Sequence, residues 1–431
     1  MRPLAATLLL TLPVPAAADW PSFRGPNLDG SVDADPPAAW SAGEAGESNL
    51  AWKAELPGVG SSTPVVVGDT VFVQLTVDTG QAGEPRETGG RPGPAFMLAP
   101  TPTTVRDFVV MAFDVNTGAE KWRTVVASAV PHEPGHKTNN FAPATPCSDG
   151  QRLYAFFGSF GVYALSLDGE VLWSRDFGPQ VTRAQFGEGA SPAVHGGTLV
   201  VPWDHEGDSR LYTLDAATGE TRWQVPREEA TTWGTPLITQ HEGRTQVVTN
   251  GGTVRSYDLA DGSLIWSLGG MTGNPIPTPV RVGDSVVVMT GYKGYKIQSV
   301  KLSAEGDAAG SVNWTRDDAA PYVPSPSLAG GMLWFTKSNN GIVTALDAET
   351  GETVLKPTRL PGVEQIYSAP TAAGGKVYFT GRGGATTVLA ADEVFNVLAM
   401  NEVGETVDAS AVPVGRRILI RGTRHLFCFG E

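Results

Sequence analysis

His132-Glu133-Pro134-Gly135-His136 has the residue types and spacing of the His-Glu-x-x-His zinc motif, in which a helix brings both imidazoles onto one face. Pro134 and Gly135 oppose a helix there, so zinc-peptidase chemistry is not expected and no residue is assigned as a metal ligand. The chain has no Gly-rich phosphate loop, no Ser-centred nucleophile elbow and no cysteine set for zinc. Cys147 and Cys428, its two cysteines, lie far apart and read as small apolar fillers, unpaired. No catalytic residue is assigned. The other candidates are aromatic, amide and charged side chains scattered along the chain, and they matter only if the fold gathers them.

The elements that could gather them repeat. A small residue or two, then proline, then a strand recurs at Ser62-Thr63-Pro64, Ala144-Thr145-Pro146, Ala190-Ser191-Pro192, Gly234-Thr235-Pro236, Pro277-Thr278-Pro279, Pro324-Ser325-Pro326 and Ser368-Ala369-Pro370. A degenerate copy follows at Ser410-Ala411-Val412-Pro413. From Pro146 onward the prolines are 46, 44, 43, 47, 44 and 43 residues apart, whereas the first interval, 82, signals an insertion. A second phrase, Asp or Asn with Gly and then tryptophan, runs from Ala112 to Trp122 and recurs to Trp173, Trp223 and Trp266. Gly accepts the positive φ of a tight reversal, and the tryptophan face can pack on a neighbouring unit. Trp52, Trp122, Trp173, Trp223, Trp266 and Trp314 are therefore expected to dock one unit on the next. Short β-branched and aromatic runs fill the spaces between the phrases, such as Ser285 to Thr290 and Lys376 to Thr380.

A four-stranded unit of this length, repeated eight times, predicts an all-β, eight-bladed β-propeller of antiparallel blades. The last unit ends after its third strand, and Asn49 to Leu56, carrying Trp52, supplies the missing one. The N-terminal strand thus completes the last blade and removes both sheet edges. The predicted organisation is a signal peptide at 1–18, an extension at 19–48 and the propeller at 49–431, with an insertion at 78–107 in the first blade.

In such a ring the loops entering the innermost strands and the hairpins joining second to third strands share one mouth of the central channel. The entering loops bring Asn139, Asn140, Phe141, Gln185, Glu188, Trp233, Asn274, Tyr322, Gln365 and Tyr367. The hairpins bring Phe160, Trp203, Asp204, His205, Tyr292, Lys293, Asn339, Asn340 and Arg382. Aromatic rings and amides around a mouth suit stacking on and hydrogen-bonding to a small ligand or an extended peptide. The insertion is expected to overhang this mouth as a lid or arm.

Arg2, the apolar stretch Leu4 to Val14 and Ala16-Ala17-Ala18 read as a secretion signal. The mature chain should be exported, periplasmic or extracellular, without a transmembrane segment and as a monomer. Removing the signal takes away Arg2, so a formal net charge of −14 becomes −15. Such acidity argues against nucleic-acid partners.

The Ala-x-Asp-x-x-Thr-Gly-x-x-x-Trp phrase, intact at Ala112 to Trp122, resembles the tryptophan-docking motif of the PQQ-repeat β-propellers, across essentially the whole chain from Asn49. Trp20-Pro21-Ser22-Phe23-Arg24-Gly25-Pro26 followed by Asp29-Gly30 resembles the opening of exported proteins of this kind. The family contains quinoprotein alcohol and glucose dehydrogenases, and a non-enzymatic group that includes the BamB lipoprotein of outer-membrane barrel assembly. The dehydrogenases stack the quinone on aromatics, hold calcium with carboxylate and amide oxygens, use an aspartate base and often carry two adjacent cysteines. This sequence has no adjacent cysteines, and no base or calcium set maps onto it. The resemblance therefore implies a BamB-like binding or scaffolding module for a protein, peptide or small ligand, with no assigned cofactor. The alternative is a PQQ- and calcium-dependent oxidoreductase.

Overall fold

The computed structural model describes residues 19–43, 46–86 and 89–431; the signal predicted at 1–18 lies outside them. Eight sheets, each with an antiparallel core of four strands, form a propeller, and helix among the described residues is limited to short 3-10 turns. The repeat phrases mark its blades correctly. Blade one, for example, runs from the inner strand Val65–Val67 through Thr70–Ala82 and Thr104–Asp114 to the outer strand Glu120–Ala129. Blade eight holds Val412–Val414, Arg417–Arg421 and His425–Gly430, and Leu50–Glu55 completes it by pairing antiparallel with His425–Gly430, Trp52 opposite Cys428. Two blades are wider than predicted. Ser41–Gly43 and Gly46–Ser48 extend blade seven, and Gly306–Asp307 extends blade four.

The turn phrase has a physical role in docking. Trp52 lies on Gly118 of blade one, Trp122 on Gly169, Trp173 on Gly219, Trp223 on Gly262 and Trp314 on Gly351. A Cβ at Gly118 would stand 2.5 Å from the Trp52 ring, and its φ of +72° also favours glycine. The indole N–H groups of Trp52, Trp122, Trp173 and Trp223 donate to carbonyls of the next blade at 2.9–3.1 Å. Trp266 is fully buried, but its indole N–H finds no partner.

The proline phrase has a role of its own. In six of the eight copies the residue before the proline, or before Ala411 in the eighth copy, carries a hydroxyl that accepts a backbone N–H of the preceding blade, whereas the Thr278 hydroxyl finds no partner. Thr63 donates to Thr145, Thr145 to Ser191, Ser191 to Thr235, Thr278 to Ser325 and Ala369 to Ser410. Ser410 closes the circle by donating to the Thr63 hydroxyl at 3.3 Å. Ala369 occupies the one position in this belt without a hydroxyl.

Residues 19–37 form a strap across the end opposite the hairpin mouth. Trp20 pairs with Val66 of blade one in both directions at 2.9 Å, and the Pro21 carbonyl takes the N–H of Ser148. Beyond a turn, the Asp29 and Gly30 carbonyls take the amides of Leu328 and Ala372 in blades six and seven. Arg24, 2% exposed, holds the turn by donating to the carbonyls of Asp29, Pro326 and Pro370. Gly30 leaves room for that guanidinium: a Cβ there would lie 2.1 Å from Nη2.

Ala369→Ser puts a hydroxyl where the belt lacks one, facing the amide side of Ser325. The expected outcome is a gain of about 1 kcal/mol in denaturant titration; an unchanged or lowered midpoint would show that the belt adds nothing there.

Candidate functional site

The channel is a cavity of about 330 Å³ lined by residues from every blade. The belt hydroxyls of Thr63, Thr145, Ser191, Thr235, Ser325 and Ser410 girdle it. Phe23 of the strap lines it as well as the groove on the underside, so the strap floors the channel. Above the belt stand Trp233, Tyr292, Tyr322, Tyr367, Phe186 and His136. Tyr292 and Tyr322 stack at 5.0 Å and 23°.

Trp233, Tyr322 and Tyr367 are held from behind. The Trp233 indole N–H donates to the Gly187 carbonyl at 2.8 Å. Tyr322 accepts from the Asn274 amide, and Asn274 accepts from Arg183. Burial raises the Tyr322 pKa. Tyr367 accepts from the Thr138 hydroxyl, and the Arg382 guanidinium lies over its ring at 4.4 Å. Arg382 is itself clamped by Asp408, with contacts of 2.6 and 3.1 Å.

Of the residues expected at the mouth, Asn139, Glu188, Trp233, Tyr292, Tyr322, Asn339 and Tyr367 line the cavity together. Lys293 projects above Tyr292, its ammonium 5.5 Å from the ring. Others are spent on the scaffold. Trp203 is 3% exposed and packs on Phe156 and Phe177. Asp204 is locked to Arg227 and also accepts from Thr232. His205 Nδ1 accepts the amides of Val181 and Gly207. Asn140 donates to Ser61, and Phe141 lies under Arg106. Gln185 donates to the Gly90 carbonyl, Asn340 bridges Gln365, and Gln365 accepts the amide of Arg382.

The insertion does overhang the mouth, in a form the sequence did not specify. Its strands continue the blade-one ladder to Asp78↔Arg106 and Ala82↔Thr104, so of the described residues only 83–86 and 89–103 leave it. That loop crosses toward blade three, where Gly93 donates to the Ala184 carbonyl, and bridges back through Leu98 and His136. Met97 consequently lines the channel, while Phe96 beside it is 76% exposed. The His132–His136 stretch is loop. Its Glu133 is buried and accepts from the amide and hydroxyl of Thr182, and burial raises its pKa. Among the described residues no group of three or more His, Cys, Asp or Glu could hold a metal ion.

Sequence reasoning overlooked Phe186 and Asp408, although both sit in loops entering inner strands, a position that could have flagged them. Phe23 and Met97 lie outside the repeat, so no periodic signal placed them.

The chain matches the family model described as "Outer membrane protein assembly factor BamB" over residues 106–356, more than half of its length. No curated protein sequence matches it. BamB from Moraxella catarrhalis superposes with a TM-score of 0.54 at 14% identity, covering 84% of this chain and 98% of that one. The quinohemoprotein alcohol dehydrogenase from Comamonas testosteroni superposes with a TM-score of 0.65 at 11% identity, covering 96% and 80%. At such identities the likeness is one of fold.

Glu188 gives this site a pH signature. Burial raises its pKa from 4.5 to about 7 against the pull of the Ser159 hydrogen bonds, with the Glu133 charge adding to the rise. The folded chain therefore keeps a proton that the unfolded chain releases between pH 4.5 and about 7. That contribution is complete below pH 4.5 and is lost as pH rises through about 7. Glu188→Gln cannot titrate, so the stability difference, wild type minus variant, should fall across this window. A pH-independent difference from parallel denaturant titrations would contradict the assignment.

Proposed function

Because the chain belongs to the family of the outer membrane protein assembly factor BamB, we propose that it is an exported binding scaffold, active in envelope or outer-membrane protein assembly. Its channel mouth takes a segment of a polypeptide partner or a small ligand. The observation that carries this reading is the blind channel, with aromatic faces presented to an open cavity and side chains fixed from behind. Preformed apolar walls with a few placed polar groups bind without the cost of ordering loops. Among the described residues no helix is long and apolar enough to cross a membrane.

The oxidoreductase alternative has one observation in its favour, the stacked Tyr292–Tyr322 pair at the cavity wall. The rest of a quinone site does not fit. Calcium needs six to eight oxygen ligands. Yet both oxygens of Glu188 take the Ser159 amide, and both oxygens of Asp408 take Arg382. Cys147 and Cys428 are free and buried in different blades. No catalytic step is derived.

Supplied with PQQ and calcium, the purified protein should show no dye-linked oxidation of alcohols or sugars. In capture from an envelope extract, Trp233→Ala with Tyr322→Ala should cut recovery of the bound partner by about tenfold or more, the loss of two aromatic contacts. Leu264→Ser, on an exposed outer strand, should leave recovery intact. Sustained turnover, or equal capture by both variants, would sink the reading.

A further inference from the structure

At three blade junctions a side chain on or just past the second strand brackets the neighbouring blade. Gln74 donates its amide to the carbonyls of Ala144 and Phe156 in blade two, at 2.6 and 2.8 Å. Asn250 does the same from blade four to Pro277 and Met289 of blade five, at 2.8 and 2.9 Å. At the closure of the ring Arg421 takes this place, donating to the carbonyls of Ser62 and Gln74 in blade one, each at 2.9 Å. A neutral amide makes the bracket twice in this fold, so the bracket does not explain a guanidinium.

Arg421 brings a charge with it. It is 1% exposed, its Nε has no hydrogen-bond partner, and among the described residues it forms no ion pair. Burial lowers its pKa to about 9, which leaves it cationic at neutral pH. An isolated buried charge is costly, and evolution tolerates one chiefly where a counter-charge arrives. Beside it lies a second cavity of about 270 Å³, opening next to the channel between blades one, seven and eight. Arg421, Lys137 and Arg382 line it, with Asp408 as the single carboxylate. Asp408 is spent on Arg382. Glu405, behind Gly422, is spent on His425, Thr423 and the Arg424 amide. The cavity therefore keeps two uncompensated cations, Arg421 at its back and Lys137 at its exposed lip.

We propose that this cavity binds a small oxyanion, a carboxylate or phosphate group, with Arg421 and Lys137 as its counter-charges. The site does not rest on the channel-mouth reading, since it shares neither the aromatic wall nor the partner tested there. A peptide carboxylate and free phosphate have the same chemistry here, and titration separates them.

Calorimetric titration at fixed ionic strength would use N-acetyl-Ala-Ala, its C-terminal amide and inorganic phosphate. Wild type should bind at least one of the two anions saturably and should not bind the amide. Binding of the acetylated dipeptide points to a peptide source, and binding of phosphate alone to a free or esterified phosphate. Arg421→Gln keeps the bracket as Gln74 makes it, yet should weaken binding about tenfold, the value of one charge-assisted hydrogen bond. Lys137→Gln, on an exposed side chain that cannot upset folding, should weaken it about threefold. The proposal is overturned if wild type binds neither anion, if the amide binds equally well, or if both variants bind like wild type.

Discussion

The ring stands on the contact each blade makes with the next where the chain enters an inner strand. There a backbone N–H of one blade meets a hydroxyl of its neighbour, and the last link, Ser410 to Thr63, joins residues 347 positions apart. An unmade bond at such a buried place costs the full desolvation of an amide. Six of the eight blade junctions make this bond, and each holds two neighbouring inner strands at a fixed separation. The indole faces on the turn glycines fix the blade rims in the same way. Closure by Leu50–Glu55 then turns two sheet edges into one continuous blade.

That closed ring encloses a channel, and the strap decides what kind. With Arg24 pinned to carbonyls of blades six and seven, Phe23 is held beneath the belt and the passage becomes a cup. The insertion adds a rim over one side by carrying Met97 across from blade one. Access is thereby confined to the hairpin mouth. Trp233, Tyr322 and Tyr367 keep their orientation because their polar edges are bonded to the scaffold.

Charge is handled differently in the two cavities. In the channel the carboxylates of Glu188 and Asp408 are absorbed by neighbouring donors, which leaves a wall of rings, amides and hydroxyls. In the side cavity the balance tips to positive, because a guanidinium serves where an amide does in other blades. An acidic protein thus carries a local cationic recess.

Much of this was legible in the sequence. The proline and tryptophan phrases gave the blade number, the blade boundaries and the completion of the last blade, because repetition exposes spacing that any single copy would leave ambiguous. They also indicated the mouth, since a propeller's connectivity sends entering loops and hairpins to one end. What spacing could not reveal was which way each mouth residue turns. Trp203, Asp204 and His205 share a hairpin position with Tyr292, yet a cation at Arg227 and an apolar seam with Phe177 draw them inward. The segments outside the repeat, Phe23 with Arg24 and the loop bearing Met97, were equally opaque. Local sequence determines strands and turns because backbone preferences are local, whereas the rim depends on contacts between different blades, and the floor and the lone charge of Arg421 depend on contacts between residues hundreds of positions apart, which exist only once the ring has closed.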